Sequence, residues 1–158
     1  MKKEIDFILE NLSNERFSIS ELIDISFILK KLLKGNEISF SDLIKPSGGI
    51  YWENISIIIP YLPVEIIENN LDKLLESFMD LNWPGTRIFY GYLSGMKIDV
   101  LKNSFLKTIN YAIEVNDTDW VYFLLVFLTD DRVGLEIEFE KEIYLCRNFL
   151  ILNGIDDL

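Results

Sequence analysis

The segment spanning residues 64–85 constrains the fold most. Val64, Ile67, Leu71, Leu74, Leu75 and Phe78 are spaced 3, 4, 3, 1 and 3, which puts them on one face of a helix. Pro63 suits the start of that helix, where its missing N–H is not needed. The stripe then meets Asp80-Leu81-Asn82-Trp83-Pro84-Gly85. Proline disfavours helical angles at the residue before it, so Trp83 must leave the helix. Asn82 tolerates the left-handed conformation that closes many helices, and Pro84 suits the first position of a new one. The hexapeptide therefore reads as a tight joint between two antiparallel helices. Trp83 offers a large apolar face and one N–H donor. It is expected to plug the end of the apolar seam and donate to a free carbonyl. The alternative is an exposed aromatic anchor for a partner.

Helical signals continue on both sides. Ile5, Ile8, Leu9 and Leu12 have helical spacing over residues 4–12. Ser18 and Glu21 form a capping-box pattern ahead of Leu22, Ile25, Leu29, Leu32 and Leu33, and Gly35 is placed for a left-handed cap. Ser39 and Asp42 mark another short helix start, which Pro46 and Gly48-Gly49 stop. Ile55 to Ile59 suits a strand or the end of a short helix; helix is preferred, because no strand-like run lies nearby to pair with it. After the joint, Gly85, Gly91 and Gly95 fall in one helical pattern, tolerable if another helix approaches closely, with Gly95 as its stop. Ile98, Leu101, Phe105, Ile109, Ala112 and Ile113 form a further stripe. Asn116 to Asp119 is a turn in which Asp117 can cap the helix of Trp120, Leu124, Val126, Phe127 and Leu128. That helix is apolar nearly all round and is expected at the centre. Glu136 to Glu140 alternates like a strand, but Leu135, Phe139, Ile143, Cys146, Phe149 and Leu150 repeat at helical spacing over a longer window. Roughly 139–152 therefore read as helix and 130–138 as loop or frayed turn, with Cys146 on the apolar stripe as a small buried residue.

Trp83 and Trp120 stand 37 residues apart, each beside an inter-helix turn. A period near 40 is that of stacked HEAT-type helix pairs. The expected fold is all-α, built of stacked antiparallel helix pairs in a HEAT-like repeat domain. Residues 1–55 would be an N-terminal helical extension and 56–158 the HEAT-like domain, packed as one unit.

The chain of 158 residues is 49% apolar, enough for a sizeable core. It has no histidine and one cysteine, so the commonest general base and neutral metal ligand are missing and no internal disulfide can form. No phosphate-binding loop is present, and no spacing singles out a carboxylate pair. Asp117 with Asp119, or Asp130 with Asp131, could offer oxygens to a hard cation, but turn and capping roles account for them. No catalytic residue, cofactor or metal is expected, and the chain is not read as an enzyme.

Net charge is −11. Such a balance repels phosphate backbones and anionic membranes and favours a basic protein partner. The start of the chain lacks a signal-peptide pattern and no apolar run approaches a membrane span, so the expected location is cytoplasmic. The charge is uneven. Residues 1–113 hold 12 basic and 15 acidic groups; residues 114–158 hold 3 and 11. Asp130, Asp131, Glu136, Glu138, Glu140 and Glu142 are the densest cluster. It reads either as a solvated face or as a docking surface, with Asp130, Asp131, Glu136, Glu138 and Glu140 as the contact residues.

The joint "DLNWPG", the preceding "LDKLLESFMD" and the later "DTDWVYFLLVFL" resemble domain of unknown function family 5071, an uncharacterised bacterial helical family. The similarity covers roughly residues 60–152. The glycine-rich helix after Pro84 departs from the Ala- and Glu-rich helices of that family. The resemblance implies an all-helical, HEAT-like stack and brings no catalytic residues. Small acidic helical proteins of this type look like immunity proteins, which neutralise toxins by occlusion. The other expectation is a HEAT-like scaffold or regulatory adaptor without a toxin.

Overall fold

A computed structural model describes residues 2–44 and 49–155. Pro46 and Gly48, expected to stop the third helix, lie outside them. The described residues form ten α-helices and two 3-10 helices, and no strand. They are α1 (Lys2–Asn14), α2 (Ile19–Lys34), α3 (Phe40–Leu43), α4 (Gly49–Ile58), α5 (Val64–Glu68), α6 (Leu71–Leu75), α7 (Thr86–Ser94), α8 (Ile98–Glu114), α9 (Thr118–Leu128) and α10 (Glu140–Leu152). The 3-10 helices are Ile59–Tyr61 and Glu76–Met79.

Several starts follow the capping chemistry in the sequence. Ser18 and Ser39 both make full capping boxes, with Glu21 and Asp42. Asp117 accepts the Trp120 N–H at 2.9 Å and opens α9. The 55–59 segment is helical, and α4 also carries the 55/56 division between the two expected segments.

The long helix expected over 64–78 is instead broken into α5, α6 and a 3-10 turn. Asn70 is the physical reason. In a continuous helix the Ile66 carbonyl would accept the Asn70 backbone N–H. Here the Asn70 side chain takes that carbonyl at 2.8 Å, and the Asn70 N–H goes to Ile67. The buried face survives the break, except that Val64 is 47% exposed. Pro63 is the N-cap of α5 rather than its first helical residue.

Other terminal residues shift by one or more positions. Gly35 keeps helical angles, and Asn36, at φ +55°, makes the left-handed turn. In the joint, Gly85 rather than Asn82 is left-handed (φ +83°), and it caps α7 so that Thr86, not Pro84, is its first residue. Gly95 stops α7 as expected.

The buried residues form one continuous apolar cluster from Ile5 to Leu150. Helices α1 and α2 pack on α4, and α4 packs on α7. Helices α8, α9 and α10 pack on one another, while α6 lies against α8 and the 76–79 turn against α9. Helix α9 buries Trp120, Val121, Leu124, Leu125, Phe127 and Leu128, as its all-round apolar sequence requires. Phe127 is an aromatic hub. Its ring lies 5.4 Å from Phe78, 4.7 Å from Tyr90 and 5.2 Å from Phe105. Burying each of the three phenylalanine rings contributes about 1.5–3 kcal/mol. The hub ties the end of the 76–79 turn, α7, α8 and α9 into one body.

Candidate functional site

Two features of the surface combine several elements: a cleft beside α7, and the acidic connection between α9 and α10.

The cleft has a volume of about 880 Å³. One wall is the joint and the outward side of α7, with Leu81, Asn82, Arg87 and Gly91. The other is the end of α9 and the turn after it, with Val126, Thr129, Asp130, Arg132 and Val133. Tyr90 links the walls. Its ring rests on the Phe127 hub and its hydroxyl donates to Asp130 Oδ2 at 2.6 Å. Asp130 also accepts from Arg132, Nε to Oδ1 at 2.9 Å and Nη2 to Oδ2 at 2.6 Å. This two-pronged geometry is the strong form of an arginine–carboxylate pair. Hydrogen bonds from Arg132 and then Tyr90 hold the Asp130 carboxyl well below the usual carboxylate range. Burial, followed by the bond to Asp130, raises the Tyr90 phenol. The group is thus an ion pair with a neutral phenol beside it, and it positions one guanidinium over the cleft.

A second concavity of about 390 Å³ lies on the far side of the joint, lined by Glu53, Trp83, Pro84 and Ile88. Leu81, Asn82 and Arg87 border both spaces. Trp83 does not plug the seam. It is 38% exposed and lies against Trp52, with ring centroids 6.5 Å apart. The role expected of it belongs to Trp120, which is 2% exposed and donates Nε1–H to the Leu75 carbonyl at 3.0 Å. The close helix approach expected at the glycines occurs at Gly85 alone in this region. A Cβ there would stand 2.5 Å from the Trp52 carbonyl oxygen of α4, whereas one at Gly91 would meet nothing within 4 Å.

The five sequence-predicted contact residues divide. Asp130 faces the cleft and is committed to Arg132 and Tyr90. Asp131, Glu136, Glu138 and Glu140 are exposed, the first three in the turns of the connection and Glu140 at the first position of α10. Glu142, from the same sequence cluster, is buried instead. Between Glu136 and Glu138 stands Ile137, 89% exposed, and Tyr144 of α10 is 68% exposed. Lys102 reaches across from α8 to donate to the Glu138 carbonyl at 2.6 Å and anchors the turn. Asp117 is a helix cap, in keeping with its turn reading. Among the described residues no group of three or more acidic or thiol side chains could hold a metal ion.

Sequence reasoning missed Arg87, Tyr90, Arg132 and Ile137. Only Arg132 carried a local signal, since an arginine two residues after an aspartate in a turn can fold back onto it. Tyr90 and Asp130 are 40 positions apart, and their pairing depends on how α7 crosses α9.

No helix among the described residues is long and apolar enough to cross a membrane. No family model matches the chain, and neither a curated protein nor a solved structure matches it.

Proposed function

We propose that the chain is a protein-binding module whose contact face is the acidic connection between α9 and α10. The observation that carries this reading is Ile137, a large apolar side chain held 89% exposed between Glu136 and Glu138. Protein interfaces combine an apolar centre with a polar rim, and most of their energy sits in a few central anchors. Ile137 has the character of such an anchor; Glu136, Glu138, Glu140 and Asp131 supply a rim of one sign. A rim of carboxylates selects a basic partner and speeds its capture. Asp130 contributes differently, because Arg132 neutralises it.

In its most concrete form, suggested by the family resemblance, the partner is a toxin whose basic cleft is covered, so that carboxylates stand where substrate phosphates would lie. The supporting scaffold is read as stacked antiparallel helix pairs of the HEAT kind, α8 with α9 and α9 with α10. The test is affinity capture from the native cell lysate with the full chain as bait, washed at low and at high salt. The expected result is one basic protein retained at low salt and depleted at high salt. The charge reversal Glu136→Lys, Glu138→Lys, Glu140→Lys should abolish capture, and Ile137→Ala should weaken it at both salt levels. Unchanged capture by both variants would refute the surface. Recovery of housekeeping complexes would favour the adaptor over the toxin partner.

A further inference from the structure

The cleft beside α7 shares only Asp130 with the predicted acidic face. At about 880 Å³ it falls in the size range of small-molecule sites, roughly 300–1,000 Å³. Its walls mix apolar side chains, Leu81, Val126 and Val133, with a few convergent polar groups. That mixture is typical of pockets which bury an apolar body and fix one polar end.

The cations are the first pointer. The chain has four arginines, Arg16, Arg87, Arg132 and Arg147, and two of them line this one cleft. Guanidinium forks match carboxylate and phosphate oxygens in pairs. Arg132 is held by Asp130 through Nε and one N–H of Nη2 and also contacts the Tyr90 hydroxyl, which still leaves part of its five-donor guanidinium for another acceptor. Asp130 is itself fixed by Tyr90, so the guanidinium is positioned in advance. Arg87 makes no ion pair among the described residues. The overall charge of −11 acts on an anion mainly at long range. Beyond about 8 Å at physiological salt such charges are largely screened, and groups in contact decide. The one carboxylate among the described residues that line the cleft, Asp130, is paired with Arg132, so that Arg87 supplies the uncompensated positive charge.

Gly91 is the second pointer. A glycine inside a helix costs about 1 kcal/mol relative to alanine. Gly91 lies inside α7 without left-handed angles, and a Cβ there would meet nothing within 4 Å. Neither backbone geometry nor packing within the fold requires a glycine. What its missing side chain does is keep the cleft open along α7, between Arg87 one turn before it and Ser94 one turn after.

We propose that this cleft binds a small organic anion, with its carboxylate or phosphate on Arg87 and Arg132 and its apolar body over Gly91 against Leu81, Val126 and Val133. The test is a titration of the full-length ¹⁵N-labelled chain with hexanoate, hexyl phosphate and hexanol at fixed ionic strength, followed by amide shifts. Saturable shifts at Asn82, Arg87, Gly91 and Thr129 are expected with one or both anions and not with hexanol. Saturation by hexanoate alone assigns a carboxylate ligand, by hexyl phosphate alone a phosphate, and by both the chemistry they share. Arg87→Gln, an exposed change that leaves the core untouched, should weaken binding by at least about tenfold. Gly91→Leu should fill the cleft and abolish binding while the protein melts no lower than the parent. Shifts linear in concentration for both anions, equal saturation by hexanol, or undiminished affinity in both variants would overturn the proposal.

Discussion

Trp120 buries its indole and delivers its one N–H to the Leu75 carbonyl, at the junction of α6 and the 76–79 3-10 turn. Trp120→Phe removes that buried hydrogen bond and the second ring of the indole, and should cost about 1–3 kcal/mol in urea unfolding. Trp83→Phe touches a half-exposed ring on Trp52 and should cost about 0.5 kcal/mol in the same measurement. The two tryptophans look alike in sequence, each beside a turn. Which one is buried depends on the helix that passes behind it, and no local pattern carries that information. Cys146 shows the opposite case, because its place on an apolar stripe was sufficient. Burial, with the nearby Glu142 charge second, pushes its thiol from 9.0 up to about 12. The unfolded chain therefore releases a proton that the folded chain retains, in the window between those values. Stability from this group is fully present below pH 9.0 and is lost as pH rises towards about 12. Iodoacetamide at pH 8.5 should leave the native thiol unlabelled over hours and label it within minutes in urea. Rapid labelling of the native protein would contradict the burial.

Short helices leave many carbonyls without intrahelical partners, and this fold meets the need with buried side chains from other elements. Tyr51 donates to the Leu43 carbonyl at the end of α3, at 2.8 Å. Asn54 of α4 donates to the Leu12 and Glu15 carbonyls at the end of α1, at 2.9 and 2.7 Å. Helix existence was legible because apolar spacing and Ser–Glu or Ser–Asp boxes are local. The ends were less so: Gly35 caps α2, but the left-handed conformation fell to Asn36, and in the joint to Gly85 rather than Asn82. Both misses share a cause. A left-handed residue is selected by where the chain must go next, and several neighbours in each turn could supply it. The glycines of α7 make this testable. Gly85 has φ +83°, and a Cβ would stand 2.5 Å from the Trp52 carbonyl and 2.7 Å from Ser56 Oγ. Gly85→Ala combines backbone strain with overlap on α4 and should destabilise by about 3 kcal/mol. Gly91→Ala should stabilise by about 1 kcal/mol, since only helix propensity changes. Thermal melts of the two variants should move in opposite directions from the parent, and a shared direction would show that the α4–α7 contact does not govern Gly85.

At the scale of the molecule, the acidic charge was readable from composition, but the cleft was not. Its walls come from residues 81–94 and 126–133, and it exists only because α7 lies beside the end of α9. The same dependence on assembly bears on how the chain unfolds. A sequence reading separates residues 1–55 from 56–158, yet α4 crosses that line and packs on α1, α2 and α7. Buried residues on both sides share one cluster. Such continuity argues for a single cooperative transition. Asn54 offers the probe, because its amide joins α4 to the end of α1 across about 40 positions. Asn54→Ala leaves two carbonyls without that donor and should cost about 2 kcal/mol. Trp52 and Trp83 report the region around α4 and the joint, while Trp120 reports the α9 side of the core. In chains retaining one tryptophan each, unfolding curves should coincide, and Asn54→Ala should shift all of them by the same amount. If the Trp120 curve stayed in place while the Trp52 curve moved, α1 to α4 would be a separate folding unit, and the shared cluster would be a contact between two cores.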